Sequence, residues 1–137
     1  MNKRKSILVT SGSKRLGKHI SKFFVTNDWD LILHYNKSKL EAEETANELS
    51  LYSKNIKLYQ ADFTKCKDVE NLVQNLLLKE KEWVGLVNNA GLFEYDTGKD
   101  FTIEKLNRHM SINFSTPAIL IKALHKNIIK NQIKKNK

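Results

Sequence analysis

Apolar positions along the chain follow two rhythms that alternate. Short continuous runs stand at Ile7-Leu8-Val9, Leu31-Ile32-Leu33-His34-Tyr35, Ile56–Ala61 and Trp83–Val87. Such runs suit strands buried on both faces of a parallel sheet. Between them the spacing becomes helical: Leu16, Ile20, Phe23 and Phe24, then Leu40, Ala42, Ala46 and Leu49, then Val69, Leu72, Val73, Leu76 and Leu77. Ser38 and Glu41 form a capping-box pair at the start of the second helix, and Thr64 stands where it caps the third. After the fourth run comes a polar loop with Gly98, and then Phe101–Met110 reads as a helix. Pro117, behind Ser115 and Thr116, opens a separate last helix carrying Leu120, Ile121, Leu124, Ile128 and Ile129. Trp29 and Trp83 each precede a strand and read as packing residues.

Strands alternating with helices imply right-handed crossovers and a parallel sheet. The expected fold is α/β, a doubly wound Rossmann-type sheet of about four strands in the order 3-2-1-4. A ligand crevice opens where such a strand order reverses. Here the turn Ser11–Gly17 and the turn Asn88–Gly91 border it, two stretches far apart in sequence and rich in small polar residues. The first is a strand–turn–helix in which backbone N–H groups and the helix N-terminus can face a pyrophosphate.

Charge and composition narrow the function. The chain has 137 residues, 40% hydrophobic and 28% charged, which suits one globular domain. Net charge is +9, unevenly placed: Glu104 is the last acid, and Lys or Arg recur after it to Lys137. A basic nucleic-acid-binding module is the reading this tail raises, but Lys outnumbers Arg 21 to 3, where a phosphate reader is expected to use more Arg. No apolar run reaches the ~18 residues of a membrane span. The basic start Asn2-Lys3-Arg4-Lys5 leads into an apolar run too short for a signal peptide, so a cytoplasmic location is expected. The lone Cys66 is read as a buried structural thiol, and His19, His34, His109 and His125 lack metal-ligand spacing, so no metal is expected.

Four motifs in order, the turn Ser11–Gly17, Asp62 after the third strand, Asn88-Asn89-Ala90-Gly91, and Asn113 in Ser-Ile-Asn-Phe, resemble the N-terminal half of a short-chain dehydrogenase/reductase. Lys14-Arg15 and His34-Tyr35-Asn36-Lys37-Ser38 resemble the pteridine reductase branch in particular. Residues 1–137 are then an incomplete NADP-binding Rossmann domain that ends before the family's Tyr-x-x-x-Lys region. Charge points to the same cofactor. The place about twenty residues past the turn, where an acid would hold the ribose of NAD, is His34–Ser38, with no acid and one Lys. Lys37, Ser38 and Arg15 can meet a 2′-phosphate instead, although Lys37 also reads as a solvated residue beside a helix start.

The resemblance implies roles for single residues. Ser11, Gly12, Ser13, Arg15, Leu16 and Gly17 would carry the cofactor's phosphates, and His34, Tyr35, Asn36, Lys37 and Ser38 its adenosine ribose. Asp62, with Phe63 beside it, would bind the adenine amino group. Asn88, Asn89, Ala90 and Gly91 would line the nicotinamide side. Asn113 would hold a water in the proton relay, and Phe93 would stack on a substrate ring. From the residues alone, Asp62 is equally a helix-start residue, Asn113 a structural cap and Phe93 a core side chain. Two departures stand out. Ser11 occupies the place of the family's first turn glycine, where a positive φ would strain it, and Arg15 replaces the second. No Tyr follows Tyr95. The pairs Tyr35/Lys39 and Tyr95/Lys99 have the Tyr-x-x-x-Lys spacing, but neither is expected on one helical face. The expected function is therefore an NADP(H)-dependent oxidoreductase of a small carbonyl or pterin-like substrate, inactive as this chain alone. A non-catalytic nucleotide-binding remnant is the alternative. Members of the family are usually homo-oligomers.

Overall fold

Ser6–Val9 is buried at every position because it lies between two strands and beneath helices on both faces. It forms β1 of the computed structural model, which describes residues 4–135. The order is β1 (Ser6–Val9), α1 (Arg15–Thr26), β2 (Asp30–Tyr35), α2 (Lys39–Leu49), β3 (Ile56–Gln60), α3 (Cys66–Lys79), β4 (Trp83–Val87), α4 (Ile103–Met110), a π turn at Ser111–Ser115, and α5 (Thr116–Lys135). The four strands form one parallel sheet in the order β3-β2-β1-β4, as the apolar runs predict. Successive side chains of a strand point to opposite faces. Leu8 and Ile32 thus face α3 and α5, packing with Val69, Leu72, Leu76, Trp83 and Leu120. Ile7, Val9, Leu31 and Leu33 face α1 and α2, packing with Val25, Ala42 and Leu49.

α3 buries the stripe its spacing predicts, Val69, Leu72 and Leu76, whereas α1, α2 and α5 bury stripes that differ in part from it. In α1 the buried residues are Gly17, Ser21 and Val25, while Leu16 and Phe23 are exposed. Small residues win because the helix lies close to the turn that precedes it: Ser21 Oγ donates to the Gly12 carbonyl at 3.0 Å. In α2, Ala42, Thr45 and Leu49 are buried and Leu40 is exposed. Thr45 Oγ1 donates to the Ser13 carbonyl at 3.0 Å. The capping box does not form. Ser38 stands at the N-cap without a side-chain capping bond, and Glu41 pairs with Lys14 at 2.7 Å. Nor does Thr64 cap α3. Its N–H and its hydroxyl both donate to Asp62 Oδ1, at 3.0 and 2.7 Å. Cys66, at the first position of α3, is exposed rather than buried.

The chain after β4 departs most from expectation. The predicted pair of helices is one continuous rod, with Ser111 and Thr116 both in right-handed helical geometry. It begins at Ile103, where Thr102 Oγ1 accepts the Lys105 N–H at 3.2 Å. Proline inside a helix has no N–H and crowds the carbonyl four residues back. Pro117 is accommodated by the π turn at Ser111–Ser115, which widens the helix just ahead of it. Over residues 116–135 the basic C-terminal stretch is part of α5, which packs on the sheet. Its buried side is Leu120, Ala123 and Asn127, and Ile121 and Ile129 are exposed. Asn127 was invisible to an apolar pattern. Its Nδ2 donates to the carbonyls of Glu80 at 3.0 Å and Trp83 at 2.8 Å, fixing α5 against the entry to β4. Glu80 is itself buried, and its carboxylate is satisfied by Lys57 Nζ at 2.7 Å and the Tyr59 hydroxyl. Among the described residues no helix is long and apolar enough to cross a membrane.

Candidate cofactor cleft

The carboxyl ends of β1 and β4 lie side by side because their strands pair, Val9 opposite Val87. Thr10 joins them. Its Oγ1 accepts the N–H groups of Asn89 and Ala90, both at 2.9 Å, and its own N–H donates to the Val87 carbonyl at 3.1 Å. Asn89 returns the contact: Nδ2 donates to the carbonyls of Thr10 at 3.1 Å and Ser11 at 3.2 Å. The two turns predicted to converge are thus bonded to each other. Thr10 is read from sequence only as a turn residue, and Asn89 holds the neighbouring turn rather than standing free.

The turn is tight at three places. Ser11 has φ 49° and Arg15 has φ 46°, so both glycine substitutes sit in left-handed backbone. That region costs an L-residue about 1–2 kcal/mol. Gly17 has an ordinary φ but no room: a Cβ there would lie 2.1 Å from the Ser11 carbonyl oxygen and 2.7 Å from Asn89 Nδ2. The first turn of α1 has no side-chain cap and no acid, so its N–H donors are left for an anion. This is the donor set a pyrophosphate group needs.

Two adjoining clefts share Ser11 and Gly91. One, of about 330 Å³, runs past Arg15, Leu16, Gly17 and Asn89. The other, of about 340 Å³, is bounded by His34, Asn36, Lys37, Asp62, Phe63 and Ala90. Most sequence-predicted residues therefore meet here. Gly12 and Ser13 lie buried beneath the turn. Tyr35 packs against the α1–α2 side of the sheet. Ser38 stands at the N-cap of α2, and Asn88 is exposed beyond β4. Phe93 lines neither cleft and is 85% exposed, not a core side chain. Leu92, Thr64, Arg108 and Ile112 also line the larger cleft. Arg108 carries no recognisable signal in the sequence; it arrives from α4 and pairs with Glu94 at 2.9 Å.

Charge in the clefts is polarised. Lys14 is spent on Glu41, whereas Arg15 and Lys37 form no ion pair among the described residues. The Thr64 hydroxyl bond, with Lys65 and Lys37 nearby, holds the Asp62 carboxyl below the ordinary carboxylate range, so it is ionised. His34 is fully buried and stacked on Phe63 with ring centroids 4.1 Å apart. Burial pushes its pKa down to about 4, so the imidazole is neutral at pH 7.

Asn113 lies in the π turn, and both ends of its side-chain amide bond to one residue: Oδ1 accepts the Leu92 N–H and Nδ2 donates to the Leu92 carbonyl, both at 2.8 Å. It fixes the exit of the Asn88–Gly91 turn. Of the Tyr/Lys pairs, Tyr35 ends β2 while Lys39 opens α2. Tyr95 and Lys99 both lie in the loop before α4, where Tyr95 is exposed.

The comparisons with known proteins agree with this arrangement. A family model described as short chain dehydrogenase matches residues 5–134. The uncharacterized oxidoreductase YmfI of Bacillus subtilis is 25% identical over 129 residues, 93% of this chain and 52% of that protein. Among solved structures, FolM alternative dihydrofolate reductase 1 from Brucella suis, in complex with NADP, is 30% identical with a TM-score of 0.78, over 90% of this chain and 51% of that one. A short-chain dehydrogenase from Sphingobium yanoikuyae in complex with NADPH shares the fold, with a TM-score of 0.82 at 24% identity, over 92% of this chain and 49% of that one. The chain spans about half the length of the curated relatives it matches. With the turn, the strand order and the family match in agreement, the chain belongs to the short-chain dehydrogenase family.

Proposed function

We propose that the paired clefts bind NADP(H) and that this chain is the cofactor-binding part of an oxidoreductase acting on a small carbonyl or pterin-like substrate. The observation that carries the reading is the pair of unspent cations, Arg15 and Lys37, flanking a crevice with no carboxylate at positions 34–38. In an NAD site an acid stands there for the ribose hydroxyl. Here that acid would repel a 2′-phosphate, and its absence with Lys37 in place favours one. The NADP and NADPH complexes of the relatives above support this choice of cofactor. The similarity to FolM and the residues Lys14-Arg15 and His34–Ser38 support the pteridine reductase branch.

The residues divide the work by chemistry. N–H groups opening α1 hold the pyrophosphate. Lys37, Arg15 and Ser38 hold the 2′-phosphate. Asp62 would offer Oδ2, which Lys65 Nζ approaches only to 3.8 Å, to the adenine amino group, since Oδ1 is taken by Thr64. NADP(H), when bound, supplies or takes the hydride. Asn113, whose amide bonds Leu92 at both ends, would hold a water in the relay.

Fluorescence titration of the chain tests the cofactor assignment. NADPH should bind at least ten-fold more tightly than NADH. Lys37→Glu should weaken NADPH by about 10–100-fold, the worth of a charge-assisted hydrogen bond, and leave NADH unchanged. Equal affinities, unaltered in the variant, would remove the reading.

Turnover is a separate matter. Reduction of a carbonyl needs a proton donor, and general acid catalysis contributes about 10²–10⁴ in rate. Tyr35 and Tyr95 are not set with their Lys partners on a helical face. NADPH oxidation by this chain, measured with pterins, quinones and simple carbonyls, should stay at the background rate. Turnover lost on Tyr35→Phe or Tyr95→Phe would make that tyrosine a working acid.

A further inference from the structure

A non-glycine residue in left-handed backbone persists where its surroundings over-determine it. Ser11 is held on both sides. Its N–H donates to His34 Nδ1 at 3.1 Å, and its carbonyl accepts from Asn89 Nδ2 at 3.2 Å. The next residue is held by His34 as well, since the Gly12 N–H donates to the His34 carbonyl at 3.1 Å. The imidazole has no freedom to do otherwise. Nε2 lies 3.0 Å from the Ala61 carbonyl, which only accepts, so Nε2 carries the proton and Nδ1 is the acceptor. Phe63 covers one face of the ring at an interplanar angle of 11°, and the residue is 2% exposed. Both ring nitrogens are therefore spent inside the protein, and neither is offered to a ribose or a 2′-phosphate.

We propose that His34 is a positioning residue: its imidazole replaces the conformational freedom of the missing glycine by holding Ser11 in the left-handed turn that carries the phosphate site. One side chain thereby ties together the ends of β1, β2 and β3, the three segments around the larger cleft. Its neutrality at pH 7 is consistent with this, because the protonated ring has no acceptor for Ser11. The assignment rests on the reading that the cleft takes NADP(H), and its structural half is tested independently of that reading.

The experiment is a double-mutant cycle on the full chain between His34→Phe and Ser11→Gly. Phenylalanine keeps a ring against Phe63 and removes both nitrogens. His34→Phe should weaken NADPH binding ten-fold or more. Adding Ser11→Gly should recover most of that loss, and Ser11→Gly alone completes the cycle. A residue that merely fills the core would not be rescued by glycine at position 11, so a double variant as weak as His34→Phe overturns the proposal. Amide hydrogen exchange of the wild-type chain gives the second measurement, and decides alone if His34→Phe does not fold. The Ser11 N–H should be protected at pH 7 and lose at least ten-fold of its protection at pH 3.5, while Leu8 within β1 keeps its own. Equal protection of Ser11 at both pH values, or none at pH 7, overturns it. If the wild-type chain binds no NADPH, the cofactor reading fails while the exchange result still decides the role of His34.

Discussion

Gly17→Ala should abolish NADPH binding and cost the fold about 3 kcal/mol or more. The cause is neither helix propensity, which favours alanine, nor an unusual φ, since no glycine of the described residues has a positive one. It is contact. A Cβ at position 17 would sit 2.1 Å from the Ser11 carbonyl oxygen, 3.0 Å from the Ser11 carbonyl carbon and 2.7 Å from Asn89 Nδ2. Two of these atoms are backbone and cannot rotate away. The third belongs to the amide that bonds the two turns. Relief requires α1 to move off the turn, and that breaks the Ser21 bond to Gly12 and the seat of the Ser11 carbonyl. Overpacking of a rigid site typically costs about 1–3 kcal/mol, and a clash with backbone belongs at the upper end. Urea unfolding and a fluorescence titration of the variant measure the two effects. Near-wild-type stability together with near-wild-type NADPH affinity would show that α1 and the turn are not locked as described.

The strand order and the crevice were legible in the sequence because both follow from burial. A run such as Ile7-Leu8-Val9 is apolar at every position only if both faces are covered, and four such runs with helical spacing between them leave few topologies. The convergence of Ser11–Gly17 with Asn88–Gly91 follows from that order. The helix faces were less legible, for one recurrent reason. Where a helix lies close to a turn or a carbonyl, the buried positions go to small or hydrogen-bonding residues. Ser21, Thr45 and Asn127 each donate to a carbonyl of another segment, and apolar periodicity ranks all three as surface. The larger side chains Phe23, Leu40 and Ile121 are displaced to solvent as a result.

Residue roles at the site divide in the same way. Lys37 and Arg15 were legible as cations without a neighbouring acid. What the sequence does not carry is which polar groups are already spent. Ser38 and Glu41 look like mutual caps until Lys14 takes Glu41. Asn113 looks unpartnered until both ends of its amide close on Leu92. His34 looks like a ribose or phosphate contact from its place beside Lys37, and instead both its nitrogens are used within the protein. The continuous rod from Ile103 to Lys135 was hidden by Pro117, because a π turn that absorbs a proline has no signature in residue pattern.

Stability should fall by about 3 kcal/mol as pH drops from 6.5 to 4, and His34 is the cause. The pKa of the buried imidazole is lowered from 6.5 to about 4, chiefly by desolvation, with the Ala61 hydrogen bond opposing the shift. Above pH 6.5 the ring is neutral in both the folded and the unfolded chain, and its contribution is fully present. Below 6.5 the unfolded chain takes up a proton and the folded chain does not, so acid favours unfolding. The loss proceeds until the folded ring is also protonated near pH 4, a window of about 2.5 pH units at 1.36 kcal/mol each. The carboxylates act in a separate and lower window. Asp62, Glu41 and Glu48 have folded values below their ordinary ones, so their contributions are present above about pH 4 and are lost beneath it. Urea unfolding at pH 7.0, 5.5 and 4.5 samples the histidine window and stays above that of the carboxylates. The wild-type chain should lose most of the predicted stability across these points. His34→Phe should be weaker at pH 7, because the Ser11 N–H and the Ala61 carbonyl lose their partners, and markedly less dependent on pH above 4.5. A wild-type stability flat from pH 7.0 to 4.5, or an equally steep loss in His34→Phe, would place the acid-sensitive group elsewhere.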